Sequence, residues 1–352
     1  MEKVPHSVCT ESCQFGYQKV SRQGQPLCCF DCIACSKGEI NNQTDAVSCL
    51  KCEEDFWSNE KRDMCIPKSL EYLSYEDPIG ATLVFFSVTL SGLSVTIFCI
   101  FIKFKDTPVV KANNCELSYF LLNALTLCFL CSLLFIGWPM KLNCMFRQVV
   151  FGLTFSFCVS CILAKTVTVV IAFSATKPGS RLRNWVGSRV PASIVIIGSL
   201  VQMIICLTWL SISAPFPEVN KTSQAGKIII ECNEGSAFAF WSMVGYLGLL
   251  AVVSFIVAFL ARNLPGSFNE TKLITFSMLV FVSVWLSFIP AYLSTRGKYM
   301  VAVEIFAILV SSAGMLGCIF LPKCYIIILR PEMNTKGYMV GKTDIKTPST
   351  NN

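Results

Sequence analysis

After residue 78 the apolar residues gather into seven long runs, and before it they form none. The runs are Ile79–Ile102, Leu117–Gly137, Met145–Phe173, Pro191–Ile212, Phe238–Leu260, Leu273–Leu293 and Val301–Leu321. Each holds about 20 residues or more, enough for a helix to cross a hydrocarbon layer of ~30 Å. Lipid offers a backbone no hydrogen bonds, so all seven are predicted to be helices. Residues 1–77 are polar and carry nine cysteines, and residues 331–352 form a short polar tail. The pattern predicts an all-α membrane protein: a seven-helix domain over 78–330, preceded by a small disulfide-rich β-type module over 1–77.

Charge sets an orientation. Glu71, Glu76 and Asp77 precede the first run, and Lys103, Lys105 and Lys111 follow it. Lys177, Arg181, Arg183 and Arg189 lie between runs three and four, Arg262 and Lys272 between five and six, and Lys323 and Arg330 after seven. The alternate loops hold fewer cations: Lys141, then Lys221 and Lys227, then Arg296 and Lys298. Basic flanks stay on the cytoplasmic side, so the N-terminus is expected outside and the tail inside a plasma membrane. Asn42 and Asn220 then head usable glycosylation sequons, while the one at Asn269 faces the cytosol.

Composition agrees with a chain that lives largely in lipid. Of 352 residues 53% are hydrophobic and 14% charged, against about a quarter charged in soluble domains. Mean hydropathy is +0.59. The net charge of +7 comes without a basic cluster interleaved with aromatics, which argues against a nucleic-acid partner. His6 is the single histidine, which disfavours histidine metal sites and histidine acid–base chemistry. No nucleophile–base pair, phosphate loop or cofactor motif stands out, so an enzyme is not expected.

The module's cysteines are Cys9, Cys13, Cys28, Cys29, Cys32, Cys35, Cys49, Cys52 and Cys65. Cys32-x2-Cys35 and Cys49-x2-Cys52 have zinc-ribbon spacing. An outside location and the scarcity of histidine favour disulfides over metal. Nine is odd, so one thiol must pair beyond the module. Met1 to Lys68 also lacks the apolar stretch of a secretion leader. Either the chain is the C-terminal part of a longer receptor, or the first helix carries the N-terminus across.

The run Val8-Cys9, Cys13, Gly24, Pro26-Leu-Cys28-Cys29-Phe-Asp-Cys32, Cys35, Gly38-Glu39, Cys49, Cys52 and Cys65 resembles the cysteine-rich domain of class C (glutamate-type) G-protein-coupled receptors. The resemblance continues through Phe101-Ile-Lys-Phe-Lys-Asp-Thr-Pro, Leu264-Pro-Gly-Ser-Phe-Asn-Glu-Thr-Lys, Trp285-Leu-Ser-Phe-Ile-Pro-Ala-Tyr and Phe320-Leu-Pro-Lys-Cys-Tyr. It covers nearly the whole chain and leans to the calcium-sensing and vomeronasal type-2 branch. It implies bridges Cys9–Cys29, Cys13–Cys32, Cys35–Cys49 and Cys52–Cys65, with Cys28 joined to an upstream Venus-flytrap domain. It also implies a Cys144–Cys232 bridge on the outer face.

In the helices the resemblance implies three sites. Lys165 and Glu270 would form an ionic lock at the cytoplasmic end; Lys165 lies 21 residues past Cys144, roughly 32 Å along a helix. Snorkelling of Lys165 to the headgroups is the plainer alternative. Arg147, Phe151, Phe155, Phe281, Trp285, Tyr292 and Glu304 would line an allosteric small-molecule pocket, against ordinary helix packing for the aromatics. Phe268, Asn269, Pro322, Lys323 and Tyr325 would help couple to a heterotrimeric G protein. Pro322 is expected to break the seventh helix. A dimer with itself or another class C receptor is implied, with small-molecule or peptide ligands bound through the flytrap. The rival readings are a signalling-dead truncated receptor or dimer partner, and a transporter. A transporter would call for inverted repeats and midplane charges, and neither is evident.

Overall fold

The computed structural model describes residues 9–112, 114–175, 189–262 and 270–334. Phe268, Asn269, the third-loop cations Lys177, Arg181 and Arg183, His6 and the tail beyond residue 334 lie outside the described residues. The chain divides into two compact units at Tyr72, with Glu218–Glu231 grouped in the first.

The first unit is made of short strands joined by sulfur. Strands β1 (Tyr17–Ser21) and β2 (Phe30–Ala34) pair antiparallel, as do β3 (Glu39–Ile40) with β4 (Leu50–Lys51), and β5 (Phe56–Ser58) with β6 (Cys65–Pro67). Strand β7 (Ser69–Glu71) runs parallel to the start of β9 (Lys227–Asn233), which also pairs with β8 (Phe216–Asn220). Four disulfides join Cys9–Cys29, Cys13–Cys32, Cys35–Cys49 and Cys52–Cys65. Its buried apolar residues are Cys13, Cys29, Phe30 and Cys35 in the N-terminal stretch and Ile228, Ile229 and Ile230 of β9. With so small a core, bridges worth about 2–4 kcal/mol each carry much of the stability. Local polar bonds lock the turns: the Cys13 amide donates to Asp45 Oδ1 at 2.7 Å, and Asn41 Nδ2 donates to the Tyr17 carbonyl at 2.5 Å.

The second unit is a helical bundle. Its helices are α1 (Pro78–Lys103), α2 (Pro108–Ala112), α3 (Cys115–Cys131), α4 (Lys141–Ala175), α5 (Arg189–Ser213), α6 (Ala237–Ala261), α7 (Glu270–Ser294) and α8 (Lys298–Leu329). A 3-10 turn, Ser132–Phe135, prolongs α3. All but α2 are long and apolar enough to cross a membrane. Helices α3, α4 and α8 bury 56% of their apolar stretch and the other four 28%, which puts those three at the centre. Small polar groups tie helices together where lipid gives no hydrophobic drive. Ser94 Oγ of α1 donates to the Leu122 carbonyl of α3 at 3.2 Å, and Ser132 Oγ donates to Ser87 Oγ at 2.9 Å. Gly198 of α5 gives its carbonyl to Ser156 Oγ of α4 (3.0 Å) and to Tyr246 Oη of α6 (2.9 Å). A Cβ at Gly198 would stand 2.3 Å from Ser160 Oγ and 3.2 Å from Ser160 Cβ, so a larger residue here requires the Ser160 side chain to move.

The expected fold class holds: seven apolar helices follow a disulfide-bonded module with short strands. One expectation is corrected. Pro322 does not end the last helix, which continues to Leu329. Beyond the proline, Lys323, Cys324, Ile326 and Ile327 are buried, and their packing holds the chain helical despite one missing amide. The short α2 and the β8–β9 hairpin have no counterpart in the hydropathy pattern.

Candidate functional site

Charged side chains buried within the helical bundle mark its candidate sites, because charge in a membrane interior is costly unless paired. They gather at two places.

The first lies at the bundle end that carries the Cys144–Cys232 bridge. This bridge joins the start of α4 to the end of β9. Two residues later the chain turns inward at Glu234. Gly235 makes the turn possible: its φ is +69°, and a Cβ would stand 2.7 Å from the Ser213 carbonyl oxygen. Trp209 Nε1 donates to the Glu234 carbonyl at 3.0 Å, and the Ser236 hydroxyl caps α6 by accepting from the Ala239 amide. Thus positioned, Glu234 sits 3.7 Å from Arg147 Nη2. Gln148 Nε2 donates both to Glu234 Oε1 (3.3 Å) and to Glu304 Oε1 (3.0 Å). Arg147, Gln148 and Glu304 are all buried. One guanidinium therefore faces two carboxyl groups. Burial drives the Glu234 carboxyl up to about 8; the Arg147 charge opposes the rise and Glu304 adds to it. Below that pH the cluster keeps a proton that balances its charge.

A continuous aromatic series links α4, α7 and α6. Phe151 and Phe155 of α4 meet the Trp285 ring of α7 at 5.4 and 5.8 Å, and Phe281 packs on both Phe155 and Trp285. Phe288 links Trp285 to Tyr292, whose ring stacks on Phe240 at 5.6 Å. Phe281 and Trp285 also wall an apolar cavity of about 240 Å³ between α6 and α7, with Trp241, Gly245, Gly248 and Leu286. Arg147 and Glu304 do not line that cavity. Sequence reasoning named Arg147 and Glu304 but missed Glu234, Gln148, Phe240 and Phe288.

The second place is the opposite end of the bundle. Glu270, the first residue of α7, accepts at a single oxygen from two lysines. Lys165 Nζ of α4 is 3.1 Å from Glu270 Oε1, and Lys323 Nζ of α8 is 2.6 Å from it. All three residues are buried, Lys323 to 1% exposure. Lys323 was grouped with Pro322 and Tyr325 on sequence; it faces the bundle, while Tyr325 is exposed and Pro322 half-buried. Below the cluster, Phe320 packs edge-on against Phe101 at 5.6 Å. The arrangement clamps α4, α7 and α8 through one carboxylate, and loss of that carboxylate would leave two buried cations facing each other.

The remaining predicted residues stand apart. Cys28 is exposed and forms no disulfide among the described residues. Its sulfur clusters with Cys9 and Cys29, but those two are already bonded to each other and offer no thiolate to a metal. Asn42 is exposed. Asn220 Oδ1 accepts from the Thr222 amide (3.1 Å) and hydroxyl (3.3 Å), the two ends of its sequon folding on each other.

A nine-cysteine module precedes seven spans that hold two buried ion clusters, and comparison with known proteins gives the family. Residues 73–323 match the family described as "7 transmembrane sweet-taste receptor of 3 GCPR", and residues 4–58 match the "Nine Cysteines Domain of family 3 GPCR". The chain belongs to the family 3, or class C, G-protein-coupled receptors, a family of multi-pass receptors rather than enzymes. It is 55% identical over 328 residues to mouse (Mus musculus) vomeronasal type-2 receptor 26, covering 93% of this chain and 38% of that one. It is 46% identical over 333 residues to the human (Homo sapiens) extracellular calcium-sensing receptor, covering 95% and 31%. The human family C group 6 member A receptor is 38% identical over 336 residues, 95% and 36%. The chain thus spans under two fifths of the length of these relatives.

Proposed function

We propose that this chain forms the cysteine-rich module and transmembrane core of a chemosensory class C receptor, passing an extracellular binding event to a heterotrimeric G protein. The N-terminal module faces outward and the Glu270 end faces the cytosol, in line with the basic loops. Ligand, a small molecule or peptide, acts through a flytrap domain to which Cys28 is bonded. Likeness to a vomeronasal type-2 receptor over most of the chain supports the chemosensory assignment. Asn42 and Asn220 carry glycans on the outer side. The receptor works as a dimer, with itself or another class C chain.

The Lys165–Glu270–Lys323 cluster is the observation that carries this reading. It ties α4, α7 and α8 at the end where a G protein would dock, next to the segment holding Phe268 and Asn269. We assign it the resting lock: opening requires α7 to part from two lysines, and Pro322 and Tyr325 then join Phe268 and Asn269 in the coupling surface. At the other end, the Arg147–Gln148–Glu234–Glu304 cluster and the aromatics Phe151, Phe155, Phe281, Trp285 and Tyr292 form an allosteric site. No bond is made or broken; ligand shifts a conformational population. Basal G-protein activation in cells expressing Glu270→Ala at matched surface density tests the lock. A rise over the parent is expected, and an unchanged basal level would remove the lock from the account.

A further inference from the structure

In the described membrane helices, exposed hydroxyl side chains recurrently satisfy themselves. Thr82, Thr96, Ser193, Thr208, Ser211, Ser242 and Ser287 each donate to the carbonyl four residues back. Ser199 of α5 does not. Its Oγ is buried and has no hydrogen-bond partner among the described residues. Ser199 lines a groove of about 530 Å³ between α3, α4 and α5, together with Asn123 of α3 and Thr154 of α4. Thr154 Oγ1 already donates to the Val150 carbonyl at 2.7 Å. Asn123 is exposed, and no hydrogen bond among the described residues engages its carboxamide. Two walls of one groove therefore each carry an unused polar group.

The rest of the lining is apolar, Leu153, Phe157 and Met203 among it, and none of it is charged. An apolar cleft of roughly 300–1,000 Å³ with a few placed polar groups has the size and composition of a small-molecule site. Ile196 and Leu200 at its edge are exposed, so the groove opens toward lipid. None of the aromatics assigned above to the allosteric site lines it. Its polar groups lie deep. Asn123 stands eight residues from the start of the Cys115–Phe135 span and Ser199 ten from the start of Arg189–Ser213, roughly 12 and 15 Å along helices that run the same way. That is mid-depth in a layer of ~30 Å. A plain hydrocarbon tail there leaves the Ser199 hydroxyl unpaired, which is costly away from water. An uncharged ligand suits the uncharged walls, and a hydroxyl, which both donates and accepts, can satisfy Ser199 Oγ and the Asn123 carboxamide.

We infer that the α3–α4–α5 groove is a binding site for an uncharged, sterol-sized lipid whose hydroxyl lies at mid-bilayer, held there by Asn123 and Ser199. The probe is 25-hydroxycholesterol, which carries a second hydroxyl at the end of its hydrocarbon tail; cholesterol, which lacks that hydroxyl, is the control. The full chain is placed in phosphatidylcholine nanodiscs, and displacement of tritiated 25-hydroxycholesterol by each unlabelled sterol is measured. One polar contact in lipid is worth about threefold to thirtyfold in affinity. The parent is expected to prefer the hydroxylated tail by at least about threefold. Ser199→Ala and Asn123→Leu should each weaken 25-hydroxycholesterol by a factor in that range and leave cholesterol near the parent, a split that a merely structural defect would not produce. Ile196→Trp puts a bulky ring at the groove edge from an exposed position and should weaken both sterols. Unfolding temperatures near the parent's check that the variants fold. Equal affinity of the parent for the two sterols, or an unchanged preference in both Ser199→Ala and Asn123→Leu, would overturn the inference. So would labelled sterol that no excess of unlabelled sterol displaces, since that is partition into bulk lipid.

Discussion

Replacing Glu270 by glutamine should destabilise the helical unit far more than replacing either lysine bonded to it. The cluster holds two cations and one anion, on three side chains at most 7% exposed. Both Nζ atoms lie on the same Glu270 oxygen, at 3.1 and 2.6 Å. Glu270→Gln leaves two buried ammonium groups with no anion between them. Stranding buried charge costs about 3–5 kcal/mol. Lys323→Met instead leaves one lysine on one carboxylate and fills the vacated volume with apolar atoms, at a cost of about 1 kcal/mol or less. Lys165→Met follows the same logic. For a domain of this size these costs correspond to a drop of roughly 6–20 °C in unfolding temperature for Glu270→Gln against a few degrees for the lysine variants. Buried free thiols provide the assay: Cys128, Cys158 and Cys161 are inaccessible in the folded bundle, so a thiol-reactive dye reports unfolding in nanodiscs. Lys165→Met combined with Lys323→Met and Glu270→Gln removes all charge and should recover most of the loss. Equal drops for the glutamine and the single methionine variants would refute the charge-counting argument.

Three more expectations can be measured in the same preparation. Cys144→Ser with Cys232→Ser opens an 88-residue loop and should cost about 4–5 kcal/mol by loop entropy, seen as a lower unfolding temperature of the helical unit. Glu234 binds its proton more tightly folded (about 8) than unfolded (4.5), so its contribution is complete below about pH 4.5 and is lost as pH rises through 8. The unfolding temperature should fall across that window in the parent and run flatter in Glu234→Gln; identical profiles would contradict the assignment. Gly198→Ala drives a methyl onto Ser160 at the junction of α4, α5 and α6, and should cost about 1–3 kcal/mol, relieved in part by Ser160→Ala.

Much of this protein is legible before folding is considered. Seven spans follow from the hydrocarbon thickness alone, since no soluble fold demands seven runs of that length. Ends and short elements are less legible. α2 holds five residues and β8–β9 twelve, too few to leave a periodic signal. Pro322 misled because proline lowers helix propensity locally, while Lys323 bonded to Glu270 and Ile326 and Ile327 buried beneath supply tertiary support that a sequence does not display. For the same reason the sequence does not show that Lys323 faces the bundle. Arg147 and Glu304 drew attention as charges in apolar runs, whereas Glu234 sits in a loop where charge is ordinary. Only the turn at Gly235 carries it into the bundle.

The central claim is that these helices form a receptor core able to activate a G protein. Its most direct test fuses a related receptor's ligand-binding domain ahead of Cys9 and measures G-protein activation with an amino-acid panel, at verified surface expression. The account predicts ligand-dependent activation that Phe268→Ala abolishes. A chimera that reaches the surface and stays silent would contradict it, and would leave the two buried clusters as elements of stability alone.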